Sequence, residues 1–243
     1  MHDLGRQEAR ESRVMKRSEI NAAIERAADF FERMSFRLPS FAFYTPEQWQ
    51  TLGPEYDEIR DCMLGWDVTD FGSGDFRRIG RTLFTLRNGR HNDPRYPRIY
   101  AEKIIFNPEG QRAPLHFHVS KMEDIINRGG GNVVIKVWRA GDNNLPSDDC
   151  FSLIVSGVRR ECAPGEIVRL EPGESICLPP RTFHQFWGEE GTGESMSGEV
   201  SSVCDDRADN YFLDEHERFP ETVEDEPVRF YRCNEYPKAR PVQ

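Results

Sequence analysis

The sequence predicts a mainly β protein, an antiparallel sandwich or barrel, with an N-terminal helical extension. Three observations carry this. From about residue 80 onward the chain is a series of short apolar or alternating runs, each closed by a turn signal. Helical periodicity is confined to the chain before about residue 50. A length of 243 residues suits one domain of this kind with an extension.

The elements follow in chain order. Residues 1–14 read as a polar, disordered leader with no apolar h-region, so they are not a secretory signal, and Met15 is a second candidate start. Ile20, Ile24, Ala27, Phe31 and Met34 recur at helical spacing after Ser18, a suitable N-cap. In "TPEQWQTL", Thr45, Pro46 and Gln48 make a T-x-x-Q capping box with Pro at the first helical position. The Gly/Asp cluster near 67–75 marks a loop in which Asp67 and Asp70 are expected to act as caps. The helical extension is thus expected over 15–75, packed on a barrel formed by 76–243. Strand signals follow in "RTLFTLRNG", "RIYAEKIIFNPEG", "NVVIKVWRAGDN", "FSLIVSG", "EIVRLEPGES", "SICLPP", "FHQFWGE" and "SGEVSSVCDD". The acidic "ETVEDEP" reads as a solvated loop.

The charge balance narrows the partners. Lys and Arg number 32 against 42 Asp and Glu, a formal net charge of −10, and no basic helix-turn-helix precedes the strands. A dedicated nucleic-acid or anionic-membrane surface is not expected. No apolar run approaches the ~18 residues of a membrane span. The six cysteines form no CxxC pair and no spaced framework, which suits free thiols in a reducing cytoplasm. Cys177, in "ESICLPP", reads as a small core residue.

The chemistry is concentrated in "APLHFHVSKMEDIINRGGG", Ala113 to Gly131. Two residues apart on a strand, His116 and His118 project to one face and Phe117 to the other. A turn or the next strand can return Glu123 towards them. Two imidazoles and a carboxylate suit a first-row divalent metal. His184 can supply a third imidazole from far along the chain. Taken alone, the His pair is as well explained by two half-exposed strand residues.

The wider frame decides between these. It runs Gly110, five residues, His116-x-His118, four residues, Glu123, six residues, Gly130; a second block runs Gly173, five residues, Pro179, four residues, His184. This resembles the two motifs of the cupin superfamily. The second block departs at Arg181, where a Gly is common, and at Gly188, where an Asn is common. About 50 residues separate the blocks, which implies an insertion around 139–165. The resemblance implies a double-stranded antiparallel β-barrel and the metal ligands His116, His118, Glu123 and His184.

Further segments take part in a closer resemblance: "MKRSEINAAIERAADFF", "FAFYTPEQW", "CLPPRTFHQFWGE", "GEVSSVCDD" and "NYFLDEHERFPE". With the motif segments they are similar to the D-lyxose isomerase family, from about Met15 to Pro227. Cys204 departs from it, standing where an Asn is expected, in a position that bears on a turn or a substrate contact. The resemblance implies a metal-dependent aldose–ketose isomerase, best served by Mn²⁺, that interconverts D-lyxose with D-xylulose and commonly D-mannose with D-fructose. It also implies a homodimer. Two other classes stay open on spacing alone: an Fe²⁺ cupin dioxygenase and a non-catalytic sugar-binding cupin.

Isomerisation through an enediol needs a base outside the metal ligands. Glu217, in "LDEHERFPE", is expected to be that base, and the family resemblance points to the same position; the alternative is a solvated carboxylate like Asp214 and Glu215. Lys121, between two ligands, is expected to face the cavity and serve the sugar oxygens, against the alternative of an exposed turn lysine. Glu199, Asp205 and Asp206 are candidates for hydroxyl binding, and His216 for a surface or supporting position.

Overall fold

Two antiparallel sheets face each other in the structure, a computed structural model that describes residues 14–205 and 208–239. Residues 1–13 of the expected leader, and Asp206, lie outside the described residues. The larger sheet has eight strands: β1 (Gly65–Thr69), β2 (Arg81–Arg87), β3 (Tyr100–Asn107), β5 (Glu123–Gly130), β7 (Phe151–Val155), β8 (Val158–Cys162), β10 (Ser175–Leu178) and β12 (Ser195–Ser202). Their order is β1-β2-β3-β12-β5-β10-β7-β8. The smaller sheet has the order β13-β4-β11-β6-β9, from β4 (His116–His118), β6 (Val133–Arg139), β9 (Glu166–Leu170), β11 (Thr182–Gly188) and β13 (Asn210–Phe212). This is the two-sheet antiparallel fold the sequence predicts. The expected insertion holds the β7–β8 hairpin, at one edge of the larger sheet.

Strand alternation sorts the side chains into three apolar layers. Ile105, Ile125, Ile135, Val168, Ile176 and Phe186 point inward and pack between the sheets. Ile104 and Phe106 of β3, with Phe84 and Trp66, point outward and meet the first helix, α1 (Arg17–Arg33). Phe117, Phe183 and Tyr211 cover the outer face of the smaller sheet. Phe117 therefore faces away from His116 and His118, as their spacing requires.

The extension differs from expectation in three places. Lys16, not Ser18, stands at the N-cap of α1, and its N–H donates to the Glu19 carboxylate at 3.0 Å. Ser18 lies inside the helix and its hydroxyl donates to Asp225 at 2.7 Å. The acidic segment read as a solvated loop is thus a strap: Glu224 accepts from Arg17, Asp225 from Ser18 and Glu226 from Asn21. Asp67 sits on β1, buried and ion-paired with Arg218, rather than in a loop; β1 overlaps the start of the expected loop and pairs with β2. Asp70 does cap, accepting from the N–H groups of Gly72 and Gly74 at 2.9 Å each. The capping box of the short helix α2 (Pro46–Trp49) is as expected, with Thr45 and Gln48 bonded reciprocally. No described helix is long and apolar enough to cross a membrane. None of the six cysteines is in a disulfide, and Cys177 is half-buried rather than enclosed, its thiol pushed up to about 11 by burial and by Asp124.

Candidate active site

Strand register brings the motif residues together. His184 of β11 lies directly opposite His116 of β4, and Phe212 of β13 lies opposite His116 on the other side. His118 is one alternation further along β4. Glu123 opens β5 on the facing sheet, and its carboxylate crosses the interior towards the imidazoles. The ligand atoms of His116, His118 and His184 lie within 4.8 Å of one another. Glu123 Oε1 is 3.0 Å from His184 Nε2, and Oε2 is 3.4 Å from His118 Nε2.

The turns that hold these strands survive both departures from the cupin pattern. Arg181 adopts φ 61°, the left-handed region that favours glycine, and its guanidinium donates to Gly141 O at 2.7 Å and lies over Phe117. At Gly188 a Cβ would come within 2.8 Å of Asn107 O, so the close approach of that backbone requires a glycine.

Hydrogen bonds fix the imidazole tautomers. Nδ1–H of His116 donates to Pro114 O at 2.8 Å, and Nδ1–H of His184 donates to Thr182 O at 3.0 Å. A neutral ring so held keeps only a lone pair on Nε2. His184 Nε2 and Glu123 Oε1 then present acceptor to acceptor at 3.0 Å. A cation between them removes that conflict, so the donor set fits a divalent metal. Burial keeps His116 and His118 in the neutral form a metal needs. His116 is held well below the usual imidazole range by burial and by the two neighbouring imidazoles, and His118 is lowered by burial and by Lys121. Burial alone would raise Glu123, but the Lys121 ammonium, 2.7 Å away, outweighs it and holds the carboxyl well below the usual range.

Around this set lies a cavity of about 50 Å³. Lys121 is buried in its wall, with Nζ 2.7 Å from Glu123 and 2.9 Å from Glu199. Burial opposes its charge, yet these two carboxylates raise it above the ordinary lysine range. It is not an exposed turn lysine. Glu199, buried on β12, stands opposite Lys103 of β3, with Oε1 3.3 Å from the lysine Nζ. Arg81 closes another side, buried over Phe186 with Nη1 3.0 Å from Asn107 Oδ1; burial lowers its guanidinium to about 10, still charged near neutrality.

Glu217 is placed differently. It is exposed, its N–H donates to Phe71 O at 3.2 Å, and its carboxylate is not among the groups lining the cavity. Its neighbour Arg218 lines the cavity and is forked onto Asp67, with Nη1 3.1 Å from Oδ1. His216 packs against Phe212, ring centroids 5.9 Å apart, and is not among the grouped imidazoles. Asp205 lines a second, larger cavity instead. Sequence reasoning missed Arg81, Lys103 and Arg218. The first two could have been found, because each shares a strand face with an inward apolar residue, Leu83 and Ile105.

Residues 15–236 match the D-lyxose isomerase family profile. The chain belongs to the D-lyxose isomerase family. It is 46% identical over 227 residues to the D-lyxose/D-mannose isomerase of Escherichia coli O157:H7, covering 93% of this chain and 100% of that one. It is 46% identical over 223 residues to the D-lyxose/D-mannose isomerase of Serratia proteamaculans, covering 91% and 98%. In fold it is similar to L-ribose isomerase of Cellulomonas parahominis, with TM-score 0.53 and 16% identity over 84% of this chain and 95% of that one. The L-ribose isomerase of Acinetobacter sp. DL28 in complex with L-ribose gives TM-score 0.56 at 14% identity, covering 84% and 94%. Membership makes the chain a sugar isomerase of the aldose–ketose type.

Proposed function

We propose that this chain interconverts D-lyxose with D-xylulose, and D-mannose with D-fructose, using one Mn²⁺ ion held by His116, His118, Glu123 and His184. The observation that carries the metal is the group of three imidazoles whose ligand atoms lie within 4.8 Å of one another, with Glu123 Oε1 3.0 Å from His184 Nε2. Such an ion, when bound, would supply Lewis-acid polarisation of the sugar carbonyl.

The protein's residues divide the remaining work. Glu123 is committed to the ligand set and to Lys121, so its lone pairs are engaged. Glu199 Oε1 is engaged by two lysines. Glu217 is the carboxylate left to act as base, and its side chain makes no hydrogen bond or ion pair among the described residues. A cavity of about 50 Å³ has room for a few waters, not for a pentose. Sugar entry therefore needs the segment between Phe212 and Arg218 to shift, and that segment carries Glu217. Glu217 takes the proton from C2 of the aldose and returns it to C1, giving the ketose. Lys121, held as an ammonium, donates to a sugar oxygen and stabilises the enediolate charge.

Glu217→Gln keeps the shape and removes the basicity. Turnover of D-lyxose and exchange of the carbon-bound proton in D₂O are expected to fall by about 10²-fold or more, with metal content unchanged. Parent-like exchange would move the base to Glu199 or Asp206. Oxygen uptake with Fe²⁺ would favour the dioxygenase reading, and sugar binding without exchange the non-catalytic one. The same reading has the protein in the cytoplasm, which suits cysteines outside any disulfide, as a homodimer. Sedimentation is expected to give a mass near twice 28.2 kDa.

A further inference from the structure

The lysines and arginines that line the histidine cavity are Arg81, Lys103, Lys121 and Arg218. Three of them are ion-paired: Lys121 with Glu123 and Glu199, Lys103 with Glu199, and Arg218 with Asp67. Arg81 differs. It is 5% exposed, and among the described residues its hydrogen bonds go to neutral acceptors, from Nη1 to Asn107 Oδ1 at 3.0 Å and from Nη2 to Phe186 O at 3.3 Å. A charge taken out of water and given only neutral partners is costly, so its place in a cavity wall points to a ligand that uses it. A guanidinium carries about five N–H donors, and these bonds leave part of the fork unused. The group is also held in one orientation. Asn107 is buried, and its Nδ2 donates to Ser197 Oγ at 2.9 Å, which turns Oδ1 towards Arg81. The Phe186 ring lies 4.1 Å from the guanidinium, two residues along β11 from His184. Arg81 is on β2, Asn107 on β3, Ser197 on β12 and Phe186 on β11. The fork is thus fixed by the two sheets and not by the irregular segment that carries Glu217. Along β3, Lys103, Ile105 and Asn107 share one face. Lys121 meets that face at the Lys103 end, through Glu199, and Arg81 meets it at the Asn107 end.

We propose that Arg81 is a substrate-binding residue that sets stereochemical preference, its fork donating to the neighbouring hydroxyl oxygens on C3 and C4 of the open-chain aldose. This rests on the isomerase reading above, in which the oxygens of the reacting carbons, C1 and C2, are served at the imidazoles and by Lys121. The next two oxygens along the sugar then lie towards the cation at the other end of β3. A planar fork suits two neighbouring oxygens, whereas an ammonium is a single point of charge. C3 and C4 keep their hydroxyls and their configuration while the proton moves between C2 and C1. The contact is therefore the same in the ground state and the transition state, and it contributes to binding rather than to the chemical step.

The test compares D-lyxose with L-ribose on metal-loaded protein. These sugars match at C2 and C3 and are opposite at C4, so the ratio of their kcat/KM values reads the contact. The parent is expected to favour D-lyxose. Arg81→Met is expected to keep the ion, to raise KM for D-lyxose by about tenfold or more and to lower the preference by a similar factor, with kcat within about threefold. Arg81→Lys keeps the charge without the fork and is expected to recover little of the preference. Asn107→Ala keeps the arginine and removes the amide that aims it. It is expected to show the same changes in smaller measure, and it carries the test if Arg81→Met does not fold. Calorimetry with D-arabinitol, the polyol that reduction of D-lyxose gives, needs no turnover. Its affinity is expected to fall by about tenfold in Arg81→Met. A parent without preference, or the parent's preference intact in Arg81→Met and Asn107→Ala, overturns the assignment, and so does an unchanged D-arabinitol affinity. A loss of kcat at constant KM overturns it as well, because that pattern belongs to the chemical step. D-arabinitol binding that depends on Arg81 in a protein that does not isomerise D-lyxose would sink the isomerase reading and leave the contact standing.

Discussion

Between the same two sheets lie two interiors of opposite character. Under β6, β9, β7 and β10 the filling is apolar: Val133, Ile135, Val168, Leu170, Leu153 and Ile176, all buried. Under β4, β11, β3 and β12 it is His116, His118, His184, Glu123, Lys121, Glu199 and Lys103, nearly all as deeply buried. Two strands serve both halves. Glu123 and Ile125 are two apart on β5, and His184 and Phe186 two apart on β11; the first of each pair faces the site and the second joins the apolar cluster. The backbone is thus indifferent to the contents. Apolar side chains gain by leaving water, whereas buried charges must be repaid by partners. Every charged group of the polar half has one: Lys121 joins Glu123 to Glu199, and Lys103 joins Glu199 to Cys204.

If the halves are independent, substitutions should separate function from stability. The largest effect is expected from His184→Ala. Turnover should fall by at least about 10³-fold, and elemental analysis after desalting should find no bound ion. Full occupancy and activity in that variant would break the comparison at its polar end. Ile135→Ala, in the apolar half, is expected to cost about 2–5 kcal/mol in urea unfolding, with turnover per folded molecule within about twofold of the parent. Loss of the ion from Ile135→Ala would show that the apolar half positions the ligands as well as supporting the fold.

The polar half was legible where strand alternation alone sets direction. His116, His118 and Phe117 point as a period of two requires; Lys121, in the connection between β4 and β5, faces inward as its place between two motif residues suggested. Legibility ended where position depends on distant chain. Ser18 has the chemistry of a cap, but Asp225, more than two hundred residues away, takes its hydroxyl, and Lys16 becomes the N-cap. Asp67 looked like a loop residue because glycines follow it; its partner Arg218 is far along an irregular segment with no period to read. The same segment carries Glu217, so its distance from the cavity could not be inferred from its neighbours. Lys103 and Glu199 show the converse case. Each occupies an inward strand position where an apolar residue would be the default, and that mismatch is itself the signal of a polar site.

The smallest expected effect is also the one that most sharply separates the halves, because only the polar half titrates. In metal-free protein, burial holds His116 and His118 below the imidazole value of 6.5 that they regain on unfolding. Between the folded value and 6.5 the unfolded chain therefore binds more protons than the folded one, and stability falls as the pH drops through that window. Each imidazole contributes a slope of at most ~1.4 kcal/mol per pH unit. Glu123 adds a second step of the same sign at lower pH. Its folded value lies well below 4.5, so the stability it supplies is present above 4.5 and is lost as the pH falls further. Urea unfolding of chelator-treated protein between pH 7.5 and 5 should show the first step. His116→Asn removes one titrating group and should flatten that slope. Ile135→Ala removes only apolar contacts and should lower the whole curve while leaving its slope unchanged. A slope that survives His116→Asn intact would assign the acid sensitivity to groups outside the histidine cavity.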